Sequence, residues 1–583
     1  MKLSLSKRLL FAGTAMLLAL GVVEGFLALV GVRPESYLPD AYVGFEGYTP
    51  LFEEWTDEEG KLWMRTVPSR RMFFNDQRFS KVKPASGLRV FTLGGSTTYG
   101  RPYRDPTSFT GWMRSLVSKA SPEAPVEIIN AGGISYASYR VARLMEELLA
   151  YQPDVFVIYT GHNEFLEKRI YHKRPSLPTG LIRMAGAARH LRSATWVKRW
   201  IEPLTEAGRE EEKARQLLKG EVDAVLDKGL GPNAYVRDPE GQQQILEHYT
   251  FNLHRMVQMA RSVGAEVLFV QPASNRSACS PFKSAFDENL SAEKRQRWQA
   301  YYDGARKAFE SRDPETTFAM LNAAEAMDAT PASLHYVRGR TLEATGRVKE
   351  ALQSYQRAID EDVCPLRALS GIQQRLSEAC QQLQVKLIDF DAMQCALSPS
   401  GVPGAEVFLD HVHPTIESHR QLALAIVRHM IDEQWLNLKL EASAVEDCRQ
   451  EVLAGIDRKE HAMAMCNLAK LLGWAGKHAE AYQASREALG LHADLPAIQY
   501  QAGLAAYLVG STEQAQEHYR QALVLAPEYG DAHCNLGVVL EEAGDLETAR
   551  FHFQKALAHG SAEHKARDQE NLQRVEASLK DLK

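Results

Sequence analysis

The C-terminal third of this 583-residue chain repeats itself with a period of 34 residues. Small residues recur at that spacing in three registers: Gly476, Gly510 and Gly544; Ala481, Ala515 and Ala549; Ala488, Ala522 and Ala556. Apolar and aromatic positions lie between them as in a helical hairpin, for example Leu504 with Tyr519 and Leu536 with Phe553. A hairpin this short cannot bury its apolar face alone, so successive copies must stack on one another. The period therefore predicts an array of helical hairpins.

This period, with small residues at the helix contacts and Pro527 after a second helix, resembles the tetratricopeptide repeat (TPR). The same offsets recur upstream at Gly339, Gly346, Ala351 and Ala358, after a degenerate copy at about 305–331. We therefore expect one repeat segment at 291–361 and another at 455–583. Stacked hairpins leave a concave groove, which predicts a protein partner, with a packing spacer as the alternative.

Five short apolar runs alternate with helical patterns in the middle of the chain. They are residues 90–93, 126–129, 155–158, 267–270 and 385–388. Buried strands that alternate with helices predict an α/β domain with a parallel five-stranded sheet. We expect this domain to comprise residues 86–290 and 362–440, with a helical insertion at about 167–241 and the upstream repeats between its two parts.

The N-terminal 35 residues have the pattern of an uncleaved membrane anchor. The stretch from Leu9 to Val32 is mainly apolar, long enough to span a bilayer, and lacks a small-residue cleavage site. Basic residues Lys2, Lys7 and Arg8 precede it, which predicts a cytoplasmic N-terminus. We therefore expect residues 1–35 to form a single-pass helix in a bacterial inner membrane. Residues 36–85 would then be a juxtamembrane segment that packs on the α/β domain, with the bulk of the chain periplasmic.

Polar side chains follow several of the predicted strands. Ser96 comes after the first strand, Asn130 ends the second, Asn163 follows the third, and Asp410 and His413 lie downstream of the fifth. Because the carboxyl ends of parallel strands meet at one edge of a sheet, we expect these side chains to converge. Asp410 and His413 are three residues apart, so on a turn the carboxylate can contact one imidazole nitrogen while the other faces a serine hydroxyl.

Other classes of site and partner are disfavoured. The 68 basic residues against 74 acidic ones give a net charge of −6, which predicts no nucleic-acid partner. The glycines before Ser96 lack the lysine of a phosphate loop and the spacing of a dinucleotide motif, so we expect no cofactor. Asp410, His411 and His413 could instead form a metal cluster, but no distant further ligand is evident and the seven cysteines include no C-x-x-C pair.

Taken in order, Gly95-Ser96, the Asn130 turn, Gly161-x-Asn163 and Asp410-x-x-His413 resemble blocks I, II, III and V of the SGNH, or GDSL-type, serine hydrolases. The resemblance covers about residues 86–290 and 362–435 and implies a flavodoxin-like fold. An anchor, a repeat inside the hydrolase domain and further repeats after it together resemble the bacterial anchored GDSL-type proteins that carry TPRs.

The resemblance implies a role for each matching residue. Ser96 would be the nucleophile, His413 the general base and Asp410 its orienting partner. The side-chain amide of Asn163 and the backbone N–H groups of Ser96 and of the second block would stabilise the oxyanion. In that block the family glycine falls on Ser135, and Gly133 is the alternative donor.

The family's blocks are altered at three positions. Gly95 stands where many members have Asp, Ser135 stands where the family has Gly, and Glu164 replaces the usual Asp. Together with the predicted anchor, the resemblance implies an extracytoplasmic esterase or O-acyltransferase that acts on an acylated glycan, lipid or cell-wall polymer. The altered blocks motivate the alternative, a TPR scaffold that carries a catalytically weak or inactive hydrolase domain.

Overall fold

The computed structural model describes residues 5–30, 50–166, 192, 193, 196, 235–561 and 564–581. Helix α1 covers Leu5–Leu29. A membrane-spanning helix was predicted within residues 1–35, whereas no helix in the described ranges is both long and apolar enough to cross a membrane. Most of the insertion predicted at about 167–241, and the start of the segment predicted at 36–85, lie outside the described residues.

The segment before the α/β domain contains a small antiparallel sheet that the sequence analysis did not anticipate. Its strands are β1 (Phe52–Thr56), β2 (Leu62–Thr66) and β3 (Arg78–Ser80), paired in the order β1-β2-β3. The rings of Phe52 and Phe79 meet edge to face at 4.9 Å, and Phe79 in turn packs on Phe91 at 5.6 Å. This sheet therefore contributes its buried aromatic side chains to the core of the following domain.

The predicted parallel five-stranded sheet is confirmed. Its strands are β4 (Leu88–Gly94), β5 (Val126–Gly132), β6 (Val155–Tyr159), β7 (Glu266–Val270) and β8 (Lys386–Ile388). All four pairings are parallel and the order is β5-β4-β6-β7-β8. This is the strand order of flavodoxin, in which ligands bind at the carboxyl ends of the strands beside the point where the order reverses. In this sheet that point lies between β4 and β6.

The first helices of this domain are α2 (Ser96–Tyr99), α3 (Phe109–Ala120), α4 (Ser138–Leu148) and α5 (Pro239–Ser262). After β7 the chain enters the inserted repeats, which form two hairpins: α6 (Ala292–Glu310) with α7 (Pro314–Glu325), and α8 (Ala332–Ala344) with α9 (Val348–Asp360). Glycine is needed at the contact between α8 and α9, because a Cβ on Gly339 would lie 2.8 Å from the ring of Tyr355. The small residues of the repeat therefore permit close helix packing.

The two ends of this insertion are held together. The Asp362 carboxylate accepts hydrogen bonds from Phe282 N at 2.6 Å and from Lys283 N at 2.8 Å. The backbone N–H of Val363 donates back to Lys283 O at 2.9 Å. The chain thus leaves the α/β domain and returns to it at nearly the same point.

The α/β domain is completed by α10 (Ser370–Leu383), α11 (Phe390–Leu397) and α12 (Ile416–Asp432). Side chains alternate between the faces of the sheet, so Phe91 and Phe156 belong to one core and Val90 and Val157 to the other. Helices α4, α5 and α10 cover the first face, and α3 and α12 cover the second. Both faces are therefore buried, as expected for a parallel sheet.

The C-terminal helices are α13 (Ala442–Ala454), α14 (Arg458–Trp474), α15 (His478–Leu491), α16 (Pro496–Leu508), α17 (Thr512–Leu525), α18 (Gly530–Glu542), α19 (Leu546–His559) and α20 (Lys565–Asp581). The hairpins are α14 with α15, α16 with α17 and α18 with α19. Each turn contains one of the repeat glycines Gly476, Gly510 and Gly544, with φ of +75°, +82° and +82°. Because L side chains rarely adopt this left-handed conformation, the turn explains the 34-residue glycine period.

Candidate active site

Ser96 is separated from the end of β4 by a single residue, lies at the point where the strand order reverses, and is the first residue of the short helix α2. Two glycines precede it. A Cβ on Gly94 would collide with the carbonyl of Tyr159 in β6, and a Cβ on Gly95 would collide with the side-chain amide of Asn163. The absence of side chains at these positions therefore allows Asn163 to approach the serine.

The turn before α12, residues 410–413, brings a carboxylate and an imidazole to this serine. Asp410 Oδ1 accepts hydrogen bonds from the backbone N–H groups of Val412 and His413, both at 2.8 Å. Asp410 Oδ2 lies 2.5 Å from His413 Nδ1, and His413 Nε2 lies 2.8 Å from Ser96 Oγ. Ser96, His413 and Asp410 thus form a continuous chain of hydrogen bonds across 317 residues of sequence.

The surroundings of Asp410 favour its ionised form, although its side chain is only 2% exposed. Burial alone would raise its pKa, but the neighbouring imidazoles of His413 and His411 and the hydrogen bonds to His413 hold the pKa of Asp410 well below its usual range. A carboxylate here accepts a hydrogen bond from the Nδ1–H of His413. The other ring nitrogen is then left free to accept the proton of the Ser96 hydroxyl.

The three residues predicted as oxyanion donors, Asn163, Gly133 and Ser135, differ in whether their N–H groups are already engaged. Asn163 Nδ2 donates one hydrogen bond to Tyr136 O at 3.1 Å, and its amide carries a second hydrogen. The N–H of Gly133 donates to Gly94 O at 3.0 Å and is therefore engaged within the backbone. Ser135 has φ of +61°, so it adopts the left-handed conformation that glycine would favour at this position.

Asn130 and Glu164 support the loops around the serine. Asn130 Nδ2 donates to Thr98 O in α2 at 3.0 Å, while its Oδ1 accepts from Gly132 N at 3.0 Å. The buried Glu164 accepts from the backbone N–H and the hydroxyl of Ser138, at 2.7 and 2.8 Å. These contacts join α2 to β5 and the Asn163 loop to the start of α4.

Two further imidazoles lie beside the turn. Burial lowers the pKa of His162 to about 3 and that of His411 to about 4, so both are neutral at pH 7. His162 Nδ1 accepts from Ala368 N at 3.3 Å, and His411 Nδ1 lies 3.6 Å from Asp410 Oδ1. Across the described ranges, no group of three or more His, Cys, Asp or Glu side chains is arranged to hold a metal ion.

Asn275, in the loop after β7, was missed by sequence reasoning. Its Nδ2 donates to Asp410 O at 2.9 Å and its backbone N–H donates to His411 O at 3.0 Å. It therefore holds the turn that carries Asp410 and His413. The signal that was available is its position: like Ser96 and Asn163, it is a polar residue shortly after the end of a parallel strand.

Comparison with protein-family models identifies the tetratricopeptide repeat at residues 302–362 and 500–564. The predicted TPRs are therefore confirmed in both the insertion and the C-terminal region. A curated relative, the "Probable biofilm formation methyltransferase WspC" of Pseudomonas aeruginosa, is 34% identical over 82 residues. The match covers 14% of this chain and only 19% of that relative.

Solved structures similar to this chain include an esterase and a TPR domain. A catalytic mutant of Axe2, an acetylxylan esterase from Geobacillus stearothermophilus, is 13% identical, with coverage of 60% of this chain and 96% of that one and a TM-score of 0.26. The first TPR of Spaghetti (RPAP3), bound to an HSP90 peptide, is 16% identical, with coverage of 21% and 94% and a TM-score of 0.20. With TM-scores below 0.5, these similarities assign no activity to the chain.

Proposed function

We propose that the chain is a serine esterase or O-acyltransferase of SGNH type, with Ser96 as nucleophile, His413 as general base and Asp410 as its orienting partner. One observation carries the proposal: Ser96 Oγ lies 2.8 Å from His413 Nε2, while His413 Nδ1 lies 2.5 Å from Asp410 Oδ2. A serine, an imidazole and a buried carboxylate in this order have the geometry of acyl-transfer catalysis.

In the first half of the reaction, Ser96 Oγ attacks the carbonyl carbon of an ester as its proton passes to His413 Nε2. The negative charge that develops on the carbonyl oxygen is stabilised by hydrogen-bond donors. The free hydrogen of Asn163 Nδ2 and the backbone N–H groups of Ser96 and Ser135 are suited to this role. Gly133 is not part of this set, because its N–H already donates to Gly94 O.

The intermediate then collapses when His413 returns the proton to the leaving alkoxide, which departs as an alcohol and leaves an ester on Ser96. In the second half, His413 removes a proton from water or from an acceptor hydroxyl, whose oxygen attacks this acyl-enzyme. Water yields a carboxylic acid, and a sugar or lipid hydroxyl yields a new ester. Both outcomes use the same residues, so the proposal includes hydrolysis and acyl transfer.

Labelling with a fluorophosphonate tests the nucleophile without knowledge of the substrate. The full-length chain in detergent should be modified at Ser96, as located by peptide mass mapping. Ser96→Ala and His413→Ala should abolish or strongly slow the labelling. Ser311→Ala is the matched control, because Ser311 lies on the exposed end of α6 and should leave labelling unchanged.

The alternative is a scaffold in which the TPRs act and the hydrolase domain is inert. A folded chain that neither reacts with the fluorophosphonate nor cleaves a short-chain aryl ester would favour this alternative. Two observations support the enzyme instead. The lowered pKa of Asp410 keeps its carboxylate ionised beside His413. The left-handed φ of Ser135 preserves, in the altered second block, the backbone conformation that a glycine would provide.

The proposal extends to partners and location. The TPRs would bind a protein partner in the groove between stacked hairpins. Residues 1–35 would hold the enzyme at a bacterial inner membrane, with the bulk of the chain in the periplasm and an acylated glycan or lipid as substrate. This part rests on the apolar stretch from Leu9 to Val32 and on the basic residues before it. A C-terminal alkaline phosphatase fusion should be active, and an inactive fusion that is expressed intact would contradict this location.

A further inference from the structure

We propose that Lys477, in the first C-terminal repeat, is a positioning residue for residues 410–413, which we call the catalytic turn. It acts on this turn through Phe282 and His411. The inference rests on the proposed function and deepens it, because it makes the C-terminal TPRs part of the active site's supporting structure. A series of contacts leads from the repeat to Asp410.

Lys477 is buried although it carries an ammonium group. It is 5% exposed and lies in the turn between α14 and α15, next to the left-handed Gly476. Its Nζ donates to Ser280 O, to Ser280 Oγ at 2.8 Å and to Pro281 O at 2.7 Å. A buried ammonium is costly unless its hydrogens are satisfied. These three oxygens satisfy the hydrogens of the Lys477 ammonium.

The acceptors of Lys477 belong to the loop of residues 275–283, which we call the bridging loop. One end of it holds the catalytic turn through Asn275, as described above. The inserted repeats hold it as well, because the Tyr336 hydroxyl in α8 donates to Ser277 O at 2.7 Å. Lys477 therefore adds an attachment from the C-terminal repeats to a loop that already contacts Asp410.

Phe282 transmits this attachment to the active site. Lys477 Nζ lies 4.5 Å from the centroid of the Phe282 ring, on its face, in a cation–π contact. The same ring packs edge to face on His411 at 5.1 Å. His411 in turn lies 3.6 Å from the Asp410 carboxylate, and its ring packs on that of His413 at 6.1 Å. Displacement of Phe282 would therefore release His411, which packs on both Asp410 and His413.

A second contact joins the same repeat to the turn. Leu409, which directly precedes Asp410, packs against the apolar core of α14 and α15, the cluster that contains Ala462, Met465 and Leu468. The repeat thus contacts the chain next to Asp410 at Leu409, and it reaches His411 through Lys477 and Phe282. A rigid catalytic turn matters because acyl transfer depends on sub-ångström alignment of the nucleophile and its base.

The test compares Lys477→Met with Lys470→Met in the full-length chain. Lys470 is an exposed lysine on α14 and serves as the matched control. On a short-chain aryl ester we expect Lys477→Met to lower kcat about 10- to 100-fold and to change KM less than about threefold. Fluorophosphonate labelling of Ser96 should slow to the same degree as kcat. Lys470→Met should match the wild type, and Lys477→Arg should recover part of the rate because a guanidinium also donates to carbonyls.

Phe282→Leu separates positioning from a general loss of stability. It interrupts the contact with His411 without altering the repeats, so it should lower kcat by itself. Combination with Lys477→Met should add little further loss, since both act along one path. Fully multiplicative losses, or a folded Lys477→Met variant with kcat within twofold of the wild type, would overturn the inference. An unreactive wild-type chain would instead refute the proposed function, and the inference would fall with it.

Discussion

Replacement of Asp410 by asparagine tests the proposed triad through the tautomer of His413. Asp410 Oδ1 accepts from two backbone N–H groups, those of Val412 and His413. An asparagine oxygen must stay at that position, because its NH2 group there would forfeit two hydrogen bonds worth about 1 kcal/mol each. The NH2 group then faces His413 Nδ1, which must become an acceptor. The ring proton moves to Nε2 and points at Ser96 Oγ, so the general base is lost.

The expected size of the effect follows from that loss. An inverted tautomer in a Ser-His-Asp triad lowers kcat by about 10⁴, which corresponds to about 5.5 kcal/mol of transition-state stabilisation. The free energy of unfolding should change by less than about 1 kcal/mol, because both backbone hydrogen bonds remain. Hydrolysis of p-nitrophenyl acetate by the full-length chain in detergent measures the first quantity. Denaturant titration measures the second.

A matched control and a clear refutation are available. Asp545 caps α19 by accepting from Thr548 N, and asparagine is an equally good cap, so Asp545→Asn should alter neither activity nor stability. If Asp410→Asn keeps activity within tenfold of the wild type, the orienting role of Asp410 is wrong. If its activity falls together with a large loss of stability, the tautomer argument is not the cause.

Two further outcomes are expected. Asn163→Ala removes one oxyanion donor and should lower kcat about 10²- to 10³-fold with little change in KM. Steady-state kinetics measure both constants, and a loss of kcat below threefold would exclude Asn163 from the oxyanion hole. Burial lowers the pKa of His162 to about 3, of His411 to about 4 and of His419 to about 3, against an ordinary value of 6.5. From about pH 4 to about pH 6.5 the unfolded chain therefore binds more protons than the folded one. The free energy of unfolding should therefore rise with pH across this window, by up to about 1.4 kcal/mol per pH unit for each histidine. Denaturant titrations in which the free energy of unfolding does not change from pH 5 to pH 7 would contradict the burial of these histidines.

The sheet was predictable because each of its strands contains a short, mainly apolar run. The run at 90–93, for example, lies within β4, which extends it by two residues at the start and one at the end. The three-stranded sheet was missed because its strands mix charged with aromatic residues. Its stability comes from packing of Phe52 and Phe79 on Phe91, which is a tertiary contact and leaves no periodic signal.

The candidate site was predictable where the chemistry is carried by residue type and spacing. Asp410 and His413 could be paired from their separation alone, and their approach to Ser96 follows from the common edge of a parallel sheet. Positions whose role depends on backbone conformation were not predictable, such as the left-handed Ser135. Lys477 was not predictable either, because its ammonium donates to carbonyl groups of a distant loop, and any residue type supplies a carbonyl.

The closed ends of the inserted repeats have a consequence for how such chains can evolve. Lys283 and Asp362 are 79 residues apart in sequence yet share a hydrogen bond, so the insertion is a loop whose ends already meet. The entropy of closing a loop grows only with the logarithm of its length, and doubling the length costs about 0.6 kcal/mol. Whole hairpins can therefore be gained or lost between these residues at small thermodynamic cost. The number and sequence of the inserted hairpins are thus free to diversify while β7 and β8 keep their register.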